Sequence, residues 1–184
     1  MMPSRPSAPF SVSHPDYTVS RLTVQDADEL QRLFKTCSDL FELTNGVPPT
    51  PTAARDEFSD VPDGKSPQDI HAFGLVAHRS ILAGVIIAVQ HYPDAEMWWI
   101  GLMLLAPKHR GRGIGAEFYR AFERWLGEQS VAYVSLCAIA PNLSGRQFWQ
   151  RMGFEIICQT APRSYGCKTH VVYVYRRTLP VQSG

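Results

Sequence analysis

The sequence predicts an α/β fold of the α+β kind, with one mixed, mostly antiparallel sheet of about seven strands flanked by about four helices. Three observations lead there. Strand-like runs at 71–78, 81–92 and 97–106 follow one another across short turns, as in a meander. The third run passes through a glycine-rich turn into a helical pattern and then into another apolar run, 131–140. Strands joined in this way lie parallel, with a right-handed crossover. Last, runs at 154–159 and 169–177 close the chain as a hairpin across the loop Arg163–Gly166. With no internal repeat and no second domain, 17–179 reads as one domain, after a short flexible lead (1–16) and before a tail (180–184).

The elements follow in order. Tyr17–Leu22 alternates as a strand does. Thr23, with Asp26 three residues on, has the form of a capping box, and Leu30, Leu33, Phe34 and Cys37 give the helix after it a buried stripe. Phe41–Thr44 leads into Asn45–Pro51, a turn that no helix crosses. Pro51 or Thr52 opens a second, short helix through Phe58, and 61–68 is a Pro/Gly loop. Gly84, inside the run 81–92, marks a bulge or a close neighbour. Met97–Ala106 is apolar on both faces, as a central covered strand should be, and Pro107 ends it. Ile114, Phe118, Ala121, Phe122 and Trp125 recur at helical spacing, with Glu117, Arg120, Glu123 and Arg124 on the other side. Asn142 precedes a last helix, Leu143–Met152, which Gly153 stops.

Composition narrows the classes of function. The 184 residues suffice for one domain with a real core, and 45% apolar content excludes a disordered chain. Lys plus Arg, 18, against Asp plus Glu, 17, leaves +1, which offers no electrostatic ground for nucleic acid or an anionic membrane as partner. No run approaches the ~20 apolar residues of a membrane span. The opening MMPSRPSAPF lacks the apolar centre of a signal peptide. Cys37, Cys137, Cys158 and Cys167 form no zinc-spaced pair, so no metal is expected. Cys137 and Cys158 sit in strand-like runs, which suggests a packing role in a reducing cytoplasm.

The turn from Pro107 to Gly115 carries the chemistry. An apolar strand, a basic glycine turn and a helix start form a phosphate cradle: bare first-turn amides and the helix dipole face the anion, and glycine lets the backbone approach. A P-loop would need Lys-Ser/Thr after its glycines, but Ala116 and Glu117 follow Gly115. Gly111, Gly113 and Ala116 fit the dinucleotide fingerprint, yet that fingerprint expects an acid about 20 positions on, and the next strand ends in Cys137 and Ala138. Arg110, Gly113 and Gly115 meet a third pattern, Q/R-x-x-G-x-G/A. Downstream, the block Asn142-Leu-Ser-Gly-Arg-Gln-Phe148-Trp149-Gln-Arg-Met-Gly153-Phe154 resembles N-x-x-A-x-x-F/L-Y-x-x-x-G-F. In this order the two motifs resemble the acyl-CoA site of the GNAT superfamily of N-acyltransferases, and the resemblance covers Tyr17–Leu179.

The resemblance implies a GNAT-type sheet whose parallel pair splays at the cofactor, with acetyl-CoA as co-substrate. It implies pantetheine contacts at Met103, Leu104 and Leu105, pyrophosphate contacts along Gly111, Arg112, Gly113, Ile114, Gly115 and Ala116 with Arg110, and a further contact at Asn142. The activity implied is direct transfer of an acetyl group to a primary amine of a small molecule or an exposed protein amine. The alternative is an acyl-CoA-binding module of the same fold with little turnover. The pattern breaks at Trp149, where much of the family has a tyrosine that protonates the departing thiolate. Tyr165 is the candidate substitute, and Glu96 the candidate base. Phe41, Glu42, Trp98 or Trp99 and the Tyr165 loop are candidates for the acceptor pocket, and the apolar last hairpin offers a surface for a homodimer.

Overall fold

In a computed structural model that describes residues 7–78, 81–129 and 131–180, the elements run β1 (Tyr17–Leu22), α1 (Ala27–Thr36), α2 (Ser38–Asn45), α3 (Ala53–Asp56), β2 (Ile70–Ala77), β3 (Ile81–Val89) and β4 (Met97–Leu105). They continue α4 (Ile114–Gly127), β5 (Tyr133–Ile139), α5 (Leu143–Arg151), β6 (Glu155–Gln159), β7 (Arg163–Tyr165), β8 (Lys168–His170) and β9 (Val172–Thr178). The main sheet has the order β1-β2-β3-β4-β5-β9-β6. Every neighbouring pair in it is antiparallel except β4 with β5. The mixed sheet and the parallel pair expected from the sequence are both present.

Two cores sandwich the sheet. On one face Phe118, Tyr119, Phe122 and Leu126 of α4 pack against Trp98, Ile100 and Phe73. On the other, Leu30, Leu33 and Phe34 of α1 cover Val85, Ile87 and Leu104. The capping box holds: the Thr23 backbone N–H donates to the Asp26 carboxylate at 2.9 Å. Among the described residues the sheet's register shifts at three places, in β3, β4 and β6, and the first two bear on the site. Ala83 is the extra residue of β3, and beside it Gly84 lies so close to β4 that a Cβ would stand 2.7 Å from the Leu104 carbonyl oxygen. Both readings of Gly84 therefore apply.

Gly101 is the extra residue of β4, since Ala88 pairs with Ile100 and Ile87 with Leu102. It reverses the strand's alternation. Trp98 and Ile100 before it, and Met103 and Leu105 after it, all face α4.

The structure differs from the sequence reading in several places. Residues 38–45 form a helix, α2, begun at once after α1 across Cys37 and ended by Gly46 at φ +80°. Its Leu40 and Phe41 are only partly buried, so its stripe is faint. The strand expected to reach Tyr92 ends at Val89. β9 inserts between β5 and β6, and the chain from β6 to β9 folds into a separate hairpin, β7-β8. That hairpin docks on the end of α2, with Cys167 N–H donating to the Asn45 carbonyl at 2.8 Å and His170 Nε2 bonding the Thr44 carbonyl at 2.8 Å. Of the four thiols, only Cys37 is buried, while Cys137, Cys158 and Cys167 are exposed and free. Residues 7–16 lie over α4: Phe10 packs edge-on against Phe73 at 4.9 Å, and the backbone N–H groups of Ser13 and His14 donate to the Glu117 carboxylate.

Candidate active site

The parallel pairing of β4 with β5 runs from Met97↔Tyr133 to Ile100↔Leu136 and stops. Beyond it β4 stays with β3, and β5 stays with β9. The Ala106 N–H donates to the Ala83 carbonyl at 2.8 Å, toward β3. Strand alternation therefore turns the main-chain groups of Met103 and Leu105 toward the open edge. The Leu105 carbonyl is already taken, by Arg110 Nε at 2.8 Å and by the Cys37 thiol at 3.4 Å. The Met103 amide and carbonyl and the Leu105 N–H remain for a ligand.

A cleft of about 480 Å³ occupies the α4 side of this opening, between Met103, Leu105, the glycine bend, Asn142 and Phe148. Gly111 and Gly113 adopt φ of +72° and +81°, a region that suits glycine, and nothing lies within 4 Å of where a Cβ would stand on either. Gly113 is the N-cap of α4 and supplies no side chain, so the first-turn N–H groups of Ile114, Gly115 and Ala116 are left to an outside acceptor. This donor set fits a diphosphate. On α5, Asn142 Oδ1 accepts the Gly145 N–H at 3.0 Å, which leaves its Nδ2 as the free donor at the cleft.

Several expected residues stand differently from their reading. The Arg110 guanidinium is clamped by Asp39 and by the Leu105 carbonyl, so it fastens the bend to α2 and β4. Asp39 holds the Arg110 pKa above its usual value, and Arg110 holds the Asp39 carboxyl below its own. Arg112 is exposed and outside the cleft lining. Leu104 buries its side chain and turns its main chain to β3, so it offers a ligand nothing, and Ile114 buries its side chain and can offer only its N–H. Trp149 is 8% exposed, packed edge-on against Tyr119 at 5.5 Å, with one side on the cleft. The sequence reading missed His109. It lines the cleft, bonds the Tyr17 hydroxyl through Nδ1 at 2.8 Å and has a buried Nε2 without a partner among the described residues. Burial, then Lys108 and Arg112, lower its pKa and favour the neutral ring.

A second cavity, of about 420 Å³, lies across β4 from the first, on the face that α1 covers. Its wall includes Trp99, Gly101 and Cys137 with Glu57, Asp60 and Arg163. Gly101 and Cys137 are the first residues past the last β4–β5 pair, so this cavity reaches the split. Desolvation, then the nearby Asp60 and Asp56, push the Glu57 carboxyl up to about 7. The sequence reading missed Glu57 as well, because its half-buried place on the cavity wall is a feature of the folded chain that no local motif announces.

Of the expected acceptor residues, Trp99 and, from the Tyr165 loop, Arg163 reach this wall. Phe41 packs against Phe34 at 5.0 Å, and Glu42 is exposed, its carbonyl accepting from Lys168 Nζ at 2.7 Å. Trp98 belongs to the α4 core. Glu96 is exposed just before β4 begins, about 16 Å along the strand from Gly101 at ~3.3 Å per residue. The bulge lies downstream of it and does not bring it round. Tyr165 on β7 is near enough to Cys137 and Arg163 for both to bear on its ionisation. Burial, then Cys137, raise its pKa, so it stays a phenol. Among the described residues no group of three or more His, Cys, Asp or Glu side chains could hold a metal ion, and no helix is long and apolar enough to cross a membrane.

The family model "Acetyltransferase (GNAT) family" matches residues 30–154, from α1 to the residue before β6. The chain belongs to the GNAT acetyltransferase family. This GNAT fold is shared with an acetyltransferase from Thermus thermophilus at TM-score 0.69 and 24% identity, over 89% of this chain and 97% of that one. A probable GNAT-family acetyltransferase from Chromobacterium violaceum matches at TM-score 0.73 and 16% identity, over 97% and 96%. The ribosomal-protein-S18-alanine N-acetyltransferase of Escherichia coli matches at TM-score 0.65 and 13% identity, over 89% and 94%. At these identities the likeness is one of GNAT fold. No curated protein matches the chain.

Proposed function

We propose that this GNAT protein is an acetyl-CoA-dependent N-acetyltransferase that moves the acetyl group directly onto a primary amine in a reducing cytoplasm. The observation that carries the reading is the split between β4 and β5, with a phosphate-fitted cleft on one face and a separate cavity on the other. The amides of Gly111–Ala116 would hold the diphosphate. Met103 and Leu105 main chain would pair with the pantetheine amides as an added strand does. Asn142 Nδ2 would give one more hydrogen bond. Acetyl-CoA supplies an activated acyl group. The chain's own part is to orient that group against the amine, to offer main-chain N–H to the developing oxyanion, and to accept a proton.

Trp149 gives a specific reason to weigh a second reading, an acyl-CoA-binding module with little turnover, because an indole cannot protonate the thiolate. A thiol of pKa near 8.5 is nonetheless a tolerable leaving group without an acid. Calorimetry with acetyl-CoA, beside free-thiol release on a panel of primary amines, separates the two. Binding with amine-dependent thiol release supports the transferase. Binding with no release on any amine supports the module, and no binding removes both.

A further inference from the structure

The cavity across β4 from the cofactor cleft contains a carboxylate for which cofactor binding has no use. Glu57 follows α3, and its neighbours on the wall include the apolar side chains of Ile70, Ile87 and Val89. Its carboxylate has no hydrogen-bond or ion-pair partner among the described residues. The cavity reaches Gly101 and Cys137 at the split, and Met103, on the far side of the same opening, lines the cofactor cleft. A thioester lying along the open edge of β4 would meet an amine in this cavity through that gap.

We infer that Glu57 is the general base of the transfer, taking a proton from the acceptor's ammonium inside this cavity. The inference rests on the transferase reading above. It implies that the acceptor is a small cationic primary amine with an apolar body, matched to a wall of aliphatic and aromatic groups with acids on one element. A carboxyl titrating near 7 is ionised in part at neutral pH and is a stronger base than a solvated one. The titratable groups around it are Asp56 and Asp60 on its own segment, and Tyr92, Cys137 and Arg163 on the cavity wall from other elements.

The ammonium gives one proton to the Glu57 carboxylate, which passes it to solvent. The freed lone pair forms the C–N bond at the thioester carbonyl. The C–S bond breaks, and its electron pair leaves on the coenzyme sulfur. The second proton lost from nitrogen balances the one the thiolate takes up as free thiol.

The test measures thiol release from acetyl-CoA with tyramine, phenethylamine, spermidine and glycinamide, for the native protein, Glu57→Gln and Asp60→Asn. The pH runs from about 5 to about 9, and acetyl-CoA affinity is measured by calorimetry. The native kcat/KM should fall tenfold per pH unit below about pH 7, because the base is protonated there. Glu57→Gln should lose that limb and at least about 100-fold in kcat/KM with acetyl-CoA affinity unchanged. Asp60→Asn should move the limb to lower pH, since it removes a charge that raises the Glu57 pKa. A Glu57→Gln variant that keeps both rate and limb overturns the inference and leaves the transferase reading standing. If that variant fails to bind acetyl-CoA, Asp60→Asn decides, and an unmoved limb overturns the inference. Native protein that binds acetyl-CoA but acetylates no amine sinks the transferase reading itself and this base with it.

Discussion

Asn142 joins a structural task to a proposed binding task, and the two can be separated by substitution. Its Oδ1 caps α5 through the Gly145 N–H at 3.0 Å, and its Nδ2 is the donor left for acetyl-CoA. Asn142→Ala removes both. Loss of the cap costs about 1 kcal/mol, which for a chain of this size lowers Tm by about 2–4 °C. Asn142→Asp keeps an oxygen acceptor of equal capping strength and adds a charge that the helix N-terminus favours. Its Tm should stay within about 1 °C of native. It has no donor, however, so acetyl-CoA affinity should fall at least about fivefold, the equivalent of one hydrogen bond of about 1 kcal/mol. Gly145→Ala is the mirror test, because its Cβ would stand 2.5 Å from Asn142 Nδ2 and must displace the capping side chain. Thermal melts and calorimetry on the three variants read both effects. If Asn142→Asp melts with Asn142→Ala, the cap is not what the oxygen supplies. If Asn142→Asp binds acetyl-CoA as the native protein does, Nδ2 does not touch it.

Gly113→Ala should weaken acetyl-CoA binding at least tenfold and cost ~1–2 kcal/mol for an alanine at φ +81°. Gly115→Ala, whose Cβ meets Leu105 Cδ1 at 3.4 Å, should be nearly silent, and equal affinity for the two variants would refute an anion on the bend. Tyr165→Phe should lower the maximal rate at least tenfold if its phenol protonates the thiolate, and an unchanged rate removes it from the mechanism. Asp69 accepts the Ser66 N–H at 2.9 Å and Gln90 Nε2 at 3.1 Å, bonds that hold its carboxyl down at about 2. A depressed folded pKa stabilises above the unfolded value and loses that contribution as pH falls through the folded one. Asp69→Asn should therefore flatten the decline of the urea midpoint between about pH 4 and about pH 2, and an unaltered slope would refute the assignment.

What the sequence made legible is local. The meander, the crossover and the glycine bend are each written in neighbouring residues, because alternation, helical spacing and proline or glycine constraints act over a few positions. The helix over 38–45 escaped because no breaker separates it from α1 and none of its residues is fully buried. The place of β9 between β5 and β6 depends on pairing across distant segments, which periodicity does not encode. The same holds for the site. Arg110 reads as a free phosphate ligand until Asp39, 71 positions away, is seen to occupy it. Glu57 sits among Arg55, Asp56 and Asp60 in sequence and looks like any solvated acid, and only the fold half-buries it on a cavity wall.

The extra residue at Gly101 divides β4 into halves that answer to different pressures. Upstream, Trp99 lines the cavity proposed for the acceptor, and downstream, Met103 and Leu105 line the cleft proposed for the coenzyme. Selection for a new amine can therefore rewrite the first half, and the loops opposite it, while the second half keeps its grip on the acyl donor. Deleting Gly101 would leave Ile100 and Leu102 opposite Ala88 and Ile87, so Trp98, Ile100, Met103 and Leu105 would keep their face and only the bulge between the halves would be lost. A library that varies position 99 and leaves the strand's length alone is the economical route to altered acceptor range.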